Sequence, residues 1–403
     1  MTSASDSRSR WQTALLISGI AFIGLNLRPS LTSLSALAER MASDGLSREF
    51  IGSLTTVPLI LFGLVGLWAG WIGQRLGFAR ALGLGLLVLA VGCFLRSASG
   101  VSGGGELLWR MVGTVLIGAG IALGNVLLPG LAKSRFPHRL GPITSLYATA
   151  MNLGAAAGIA FAVPLALRLE GGWNAALASW GVVALVVLLF WSPQMWPRPL
   201  ARQPVHPLAG VRRLLRQPRA WQVTAYMGLQ STFFYSIVAW LPSVLQHRGM
   251  EEGEAAFWVT GLQLIGCVAS IFAPVIAGRQ ASQSGWIVGC MIFNFLGLLG
   301  ALVLPLSLAG YAVLLLGIGL NGGFGLALLV IAMRSRTPET AAHLSSMAQA
   351  CGYLFAAPGP FFVGWLSTHG GWSLAMGFVL ALILVALIPS YLAGREGVVD
   401  PAE

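Results

Sequence analysis

Long apolar stretches, each ended by charged or turn-forming residues, run through almost the whole of this 403-residue chain. A helix needs about 20 apolar residues to cross a bilayer. The stretches predict twelve such helices, near 12–37, 50–73, 79–97, 107–132, 140–167, 173–196, 220–246, 255–278, 285–304, 310–333, 340–366 and 372–393. The first follows a polar start carrying Arg8 and Arg10 and is too long for a signal-peptide core, so it reads as a retained membrane helix. Between the sixth and seventh lies PRPLARQPVHPLAGVRRLLRQPR, whose prolines and arginines mark a polar linker. The expected division is therefore 1–196, a six-helix bundle; 197–219, a basic linker; and 220–403, a second six-helix bundle.

The two parts repeat each other at a nearly constant offset. Lys133-Ser134-Arg135-Phe136-Pro137 returns as Arg334-Ser335-Arg336-Thr337-Pro338, and Gly171-Gly172-Trp173 returns as Gly370-Gly371-Trp372. Gly24-Leu25-Asn26 has a looser echo in Gly228-Leu229-Gln230. An even number of spans separates the copies, which makes the halves parallel repeats.

Composition narrows the class. Hydrophobic residues make up 56% of the chain and charged residues 9%, against roughly a quarter charged in a soluble domain, so a water-soluble globular protein is excluded. The 52 glycines and 20 prolines fit closely packed membrane helices. A net charge of +11 raises the question of nucleic acid, but the basic residues gather in alternate loops: 17 of the 24 lie on the side of the termini and linker. Six (Arg40, Arg48, Arg96, Arg110, Arg168, Arg248) are expected on the other side, and Arg28 alone well inside a span. The positive-inside rule then places both termini and the linker in the cytoplasm of a bacterial inner membrane, and the charge reports topology rather than nucleic-acid binding. The four cysteines fall in apolar runs without zinc or redox spacing, and no cofactor or metal is expected. Most tryptophans, Trp11, Trp173, Trp196, Trp221, Trp286 and Trp372 among them, stand at span ends and read as an interfacial belt.

The loop after the second helix reads Gly70-Trp-Ile-Gly73-Gln74-Arg75-Leu-Gly77-Phe-Ala-Arg80. It resembles the signature loop of the major facilitator superfamily, with Gln74 where that pattern has an acid. Gly70, Gln74, Arg75, Gly77 and Arg80 are the expected conformational motif. A narrower resemblance, to the cyanate porter family that also includes a 2-nitroimidazole exporter, rests on four segments. They are Gly24-Leu25-Asn26-Leu27-Arg28-Pro29-Ser30-Leu31-Thr32-Ser33, Pro129 with Lys133 to Phe136, Ala239-Trp240-Leu241-Pro242 and Gly317-Ile318-Gly319-Leu320. The resemblance implies an all-α membrane fold of two pseudo-symmetric bundles that rock about a central site, moving a small molecule by alternating access.

Few polar side chains could line such a site. They are Asn26 and Arg28 in helix 1, Asn125 in helix 4, Tyr147 and Asn152 in helix 5, and Gln230, Tyr235 and Trp240 in helix 7. Gln263 in helix 8, Asn321 in helix 10 and the pair Gln349 and Tyr353 in helix 11 complete the set. A buried amide without a partner costs several kcal/mol, so each faces another helix or a wet cavity. Gln349 and Tyr353, four apart, share a helix face more fully than Gln230 and Tyr235, five apart. No His, Asp or Glu stands in the centre of a predicted span and no Walker-type phosphate loop is present, which disfavours an enzyme, a receptor of that kind or an ATP-driven pump.

Arg28 is the sharpest feature. A charge at that depth costs about 2.5–3.5 kcal/mol on insertion scales, and no acid is expected within reach to pair with it. Carbonyl pairing, snorkelling, gating and an anion-binding role all remain open; an anion supplying the missing charge is the leading expectation. Pro29 can also break helix 1 there and leave a positive helix end facing the same space. The expected cargo is a small anion such as cyanate, with small neutral or weakly acidic heteroaromatics as the alternative. No carboxylate is expected to carry a coupling proton, Glu39 and Glu106 being the two that could lie deepest. The chain is expected to work as a monomer in the lipid bilayer.

Overall fold

The computed structural model describes residues 2–98, 105–136, 140–196, 213–336 and 338–399. Most of the linker, 197–212, with Arg198, Arg202 and Arg212, lies outside the described residues, as do Pro137, His138 and Arg139.

The first half consists of α1 (Thr2–Asn26), α2 (Pro29–Ser43), α3 (Arg48–Leu76), α4 (Phe78–Arg96), α5 (Gly105–Arg135), α6 (Leu140–Arg168) and α7 (Gly172–Trp191). The second consists of α8 (Pro218–His247), α9 (Glu252–Ala277), α10 (Ser284–Val303), α11 (Leu306–Met333), α12 (Pro338–Ala356) and α13 (Pro358–Gly394). Ten helical stretches are long and apolar enough to cross a bilayer. The last of these runs over 52 residues, His343–Gly394, about twice what one crossing needs at 1.5 Å per residue. It is two crossings, divided at Gly371, whose φ of 77° turns the chain. Pro218–His247 supplies a twelfth crossing; its apolar stretch is diluted by Gln222, Thr224, Gln230, Thr232 and three buried serines, Ser231, Ser236 and Ser243.

Two crossings are interrupted by proline. Helix 1 stops at Asn26 and restarts at Pro29. Helix 11 pauses at Ala357 before Pro358, yet Ala357 keeps helical angles and its N–H still reaches Tyr353 O at 2.9 Å, so α12 runs on into the first part of α13. The sixth crossing ends at Trp191, short of the expected 196, because the chain tightens into a 3-10 turn over Ser192–Met195 around Pro193.

The repeat seen in the sequence is also a repeat in packing. In the first half α4 and α3 pack on α5, and α4 on α7; in the second α10 and α9 pack on α11, and α10 on α13. The halves meet along two seams, α3 against α12 and α13, and α6 against α9, with α2 crossing to α8. Small residues permit the closest approaches. A Cβ on Gly154 of α6 would collide with the carbonyl of Leu25 in α1, so a larger residue would push the first crossing away.

Three expectations about charge and aromatic placement are corrected. Arg96 and Arg110, expected at the outer ends of their spans, do end α4 and stand near the start of α5, but they are turned inward and exposed by only 1% and 3%. Arg28 is therefore not alone in being buried. Trp173 and Trp372 are buried rather than interfacial, and each lies under a guanidinium, Arg110 at 4.6 Å and Arg48 at 5.3 Å from the ring centre. Trp11 and Trp196 are well exposed, as a belt requires. Arg334, in the second copy of the repeated basic motif, is buried too; it donates to Gln283 Oε1 and to the carbonyls of Ala393 and Gly394, tying the end of α13 to the α9–α10 turn.

Candidate functional site

The break in the first crossing follows from Pro29. A proline has no N–H to continue the ladder and crowds the residue before it. Arg28 is displaced in φ (−116°) while ψ stays near −35°, giving one tightened turn rather than an extended gap. Leu27 N–H turns back to Gly24 O at 3.2 Å, and the N–H groups of Leu31 and Thr32 both reach Arg28 O. Arg28 thus stands at the start of α2 with its side chain directed between the halves. The hydroxyls of Ser30 and Ser33 near the same helix start are buried without a hydrogen-bond partner.

The guanidinium enters a cavity of about 50 Å³ whose wall comes from both halves. Room for a water takes about 10–15 Å³ on this measure, so the space holds three or four waters, or a solute of similar bulk. Arg28, Thr32 and Ser35 of α2, Thr55 of α3 and Asn152 of α6 face Ser231, Phe234 and Tyr235 of α8, Gln263 of α9, and Asn321 and Phe324 of α11. Arg28 donates through Nη1 to the Tyr235 hydroxyl at 2.6 Å, and its charge lies 5.8 Å from that ring's centre. Asn152 Nδ2 crosses from α6 to Ser270 Oγ of α9 at 3.3 Å. Gln263 Oε1 and Ser231 Oγ are buried and have no hydrogen-bond partner. Among the described residues, no Asp, Glu, Lys or His lines this cavity.

The other polar side chains singled out in the sequence lie elsewhere. Gln230 is buried with Nε2 on Leu320 O at 2.7 Å, joining α8 to α11. Trp240, also buried, donates to Pro360 O at 2.8 Å and joins α8 to α13. Gln349 bonds within its own helix, to Ser345 Oγ at 2.8 Å. Asn26 is buried beside the break, Asn125 is half-buried in α5 with both amide atoms unpartnered, and Tyr147 packs by its backbone against Gly24. Tyr353 stands one layer behind the cavity wall, its ring 6.3 Å from that of Tyr235 and 5.5 Å from that of Phe62. The order of the two tyrosine pairs is therefore the reverse of what spacing alone suggests: Tyr235 faces the cavity and the Gln349–Tyr353 pair does not.

Sequence reasoning missed Phe234, Phe324, Thr32, Ser231 and Ser35. Phenylalanines in apolar runs carry no local signal, and hydroxyl side chains were too numerous to sort without the packing.

Outside the cavity three arginines, Arg40, Arg48 and Arg110, pair with acids, whereas Arg334 is held by an amide and carbonyls and the buried Arg96 has no hydrogen-bond partner on its guanidinium. Arg40 grips Glu252 with both Nε and Nη2, bridging α2 and α9 across the halves. Arg48 pairs with Glu39 at 3.2 Å while lying over Trp372 of α13. Arg110 pairs with Glu106 and donates to Asn174 Oδ1 at 2.8 Å. Glu39 and Glu106, the two carboxylates expected to lie deepest, are thus both engaged by arginines away from Arg28.

At the opposite end of the molecule, Gly77 joins α3 to α4 with φ 82°, a left-handed conformation that only glycine adopts without strain. Arg80 donates to Met195 O at 2.9 Å and Trp191 to Ala79 O at 2.8 Å, so the turn is tied to the end of α7. Gly70 lies within α3 and Arg75 is exposed in its last turn; the side chain of Gln74 is outside the described residues.

Residues 14–360 match the family model of the Major Facilitator Superfamily. Two relatives from Escherichia coli are similar over nearly their full lengths. The 2-nitroimidazole transporter is 35% identical over 97% of this chain and 98% of its own, and the cyanate transport protein CynX is 28% identical over 91% and 95%. A bacterial homolog of the human lysosomal transporter Spinster, in an inward-facing, unoccupied conformation, has the same fold, with a TM-score of 0.79 at 15% identity over 95% of this chain and 97% of that one. The twelve crossings, the repeated packing and these matches lead to one conclusion: the chain belongs to the Major Facilitator Superfamily, a multi-pass membrane transporter of small molecules.

Proposed function

We propose that this protein is a secondary transporter of small, cyanate-like anions, with Arg28 as the group that recognises their charge. One observation carries the reading: a guanidinium in a cavity shared by both halves, hydrogen-bonded there to a neutral phenol rather than to a carboxylate. A guanidinium left without a counter-charge in a low-dielectric site is an attractive partner for an anion. The start of α2 adds the partial positive charge of a helix N-terminus on the same side. Asn152, Ser231, Gln263 and Asn321 supply neutral polar contacts, and the cavity's volume favours solutes of a few heavy atoms over sugars or peptides. The similarity to a cyanate transport protein is consistent with this cargo.

A second reading keeps the same cavity but a different cargo, small neutral or weakly acidic heteroaromatics. The aromatic wall of Phe234, Tyr235 and Phe324 favours it, as does the likeness to a 2-nitroimidazole transporter. The two readings part at one variant. In proteoliposomes, Arg28→Gln is expected to abolish cyanate uptake with the melting temperature kept, while 2-nitroimidazole flux continues if the neutral reading holds. Full cyanate uptake by the folded variant would overturn the anion site.

The remaining features of the proposal follow from the charge distribution. The chain acts as a monomer in a bacterial inner membrane, with the termini and the 197–219 linker between the bundles 1–196 and 220–403 on the cytoplasmic side. Gly70, Gln74, Arg75, Gly77 and Arg80 form its cytoplasmic conformational motif. Coupling runs without an intramembrane carboxylate, because Glu39 and Glu106 are held by Arg48 and Arg110.

A further inference from the structure

The Arg28–Tyr235 hydrogen bond crosses the cavity from the first half to the second, at 2.6 Å. Its acceptor belongs to the protein itself. That matters for how a carrier of anions completes its cycle. To move net substrate, an alternating-access protein must close and reorient once without cargo. Closing over an unpaired guanidinium withdraws a charge from water with nothing to replace its hydration, which costs several kcal/mol. A carrier built that way closes only around its anion and is confined to exchanging one anion for another.

Tyr235 changes this balance. Its oxygen lies where a substrate oxygen would meet the guanidinium, and its position is fixed from behind. The ring of Tyr353 packs edge-on behind that of Tyr235, the centres 6.3 Å apart. The ring of Tyr353 stands edge-on to Phe62 of α3 at 74°, back in the first half. All three rings are buried. A phenol oxygen that accepts from a cation in a low-dielectric site is polarised towards the anionic end of its range as an acceptor. It is still neutral, so a true anion competes with it successfully.

We infer that the Tyr235 hydroxyl is an exchangeable stand-in for the transported anion, which lets the protein close and reorient without cargo and makes it a net transporter rather than an obligatory exchanger. The inference rests on the anion reading of Arg28. Tyr235 is in this sense a positioning residue for the transport cycle: its hydroxyl matters more for the return step than for holding substrate. Tyr353 and Phe62 keep that hydroxyl in place.

The test separates the two modes of flux. Radiolabelled cyanate and, separately, benzoate are followed into proteoliposomes clamped with potassium and valinomycin. In one arm the vesicles start without the anion, which measures net uptake; in the other they are preloaded with the same unlabelled anion, which measures exchange. For the wild-type chain the two rates are expected to agree within about threefold. In Tyr235→Phe the ratio of net uptake to exchange should fall about tenfold, the scale of one lost hydrogen bond to a charged group, whatever the variant does to the exchange rate itself. Tyr235→Gln, which restores an acceptor without the ring, should recover net uptake.

A wild-type protein that exchanges but shows no net uptake overturns the inference. So does a Tyr235→Phe protein of unchanged melting temperature that loses both modes equally, or neither. Should that variant fail to fold, Tyr235→Gln against Tyr235→Leu decides, with a net-to-exchange ratio expected to be about tenfold higher in the variant that keeps an acceptor; equal ratios then refute the stand-in. If the wild type moves neither anion in either mode, the anion reading of Arg28 has failed, and the stand-in falls with it.

Discussion

Arg28, at the cap of α2, and Arg110, inside α5, are both at least half-buried and both next to an aromatic ring, yet their surroundings differ in kind. Arg110, 3% exposed, has Glu106, Asn174 and the face of Trp173. Arg28 has the Tyr235 hydroxyl and a cavity. The outer pair Arg40–Glu252 and the group Arg48, Glu39 and Trp372 follow the Arg110 pattern. In these three groups a carboxylate neutralises the guanidinium in place. Acid pairing is not the rule for every buried arginine: Arg334 rests on Gln283 and carbonyls, and Arg96 has no hydrogen-bond partner on its guanidinium. What sets Arg28 apart is the combination of a neutral phenol partner, weak enough to yield to an anion, with an opening into a cavity shared by both halves.

The largest expected effect that bears on this contrast is at Arg110. Replacing its acid, Glu106→Gln, leaves a buried guanidinium without counter-charge and should destabilise the protein by about 2–3 kcal/mol, read as a clear drop in melting temperature. Arg28→Gln, which removes a charge that has no acid, should leave the melting temperature level or raise it. Equal losses in the two variants would erase the distinction between the two arginines.

A smaller effect is expected within the cavity. Arg28→Lys keeps the charge but loses the planar fork, so anion affinity should weaken about tenfold with folding unaltered, measured as the concentration of cyanate needed to shift melting. Unchanged affinity would mean that charge alone, rather than guanidinium geometry, selects the ligand.

The smallest concerns the Arg40–Glu252 clasp between the halves. Its side chains are 36% and 21% exposed, so its contribution is below about 1 kcal/mol. Glu252→Gln should loosen the outer seam, and a cysteine placed at Ser35 in the cavity wall should then react up to about fivefold faster with an impermeant thiol reagent applied from outside. A rate equal to that of the single Ser35→Cys protein would show that the clasp does not hold the seam.

The crossings themselves were legible from the chain, since each stretch of apolar residues long enough to span hydrocarbon has few alternatives to a helix. The offset repeat predicted parallel halves, and α4–α5 packing has its counterpart in α10–α11. The break at Pro29 was legible for a local reason, the missing N–H. What could not be read was which face of each helix meets which neighbour. Trp173 and Trp372 sit at span ends as an interfacial belt does, and only the packing turns them inward beneath Arg110 and Arg48. The burial of Arg96 and Arg110 was not legible because a charge near a helix end is equally compatible with an exposed and with a buried end turn. Gln230, Trp240 and Gln349 were candidates for the cavity on polarity, but each donates to a carbonyl or hydroxyl of an adjacent turn or helix instead.

Sequence by itself determined the solvent of this protein, the number and order of its crossings, the repeat, and the presence of a deep arginine with no acid nearby along the chain. These follow from terms that add up residue by residue: apolar length, proline chemistry and the distribution of charge. Tertiary structure alone decided that Arg28 reaches Tyr235, 207 positions away, that Arg40 finds Glu252, 212 positions away, and that Phe234 and Phe324 close the cavity. Partners so distant in the chain are set by how the helices pack and rotate against one another, and that depends on close contacts between surfaces which no single stretch of sequence contains.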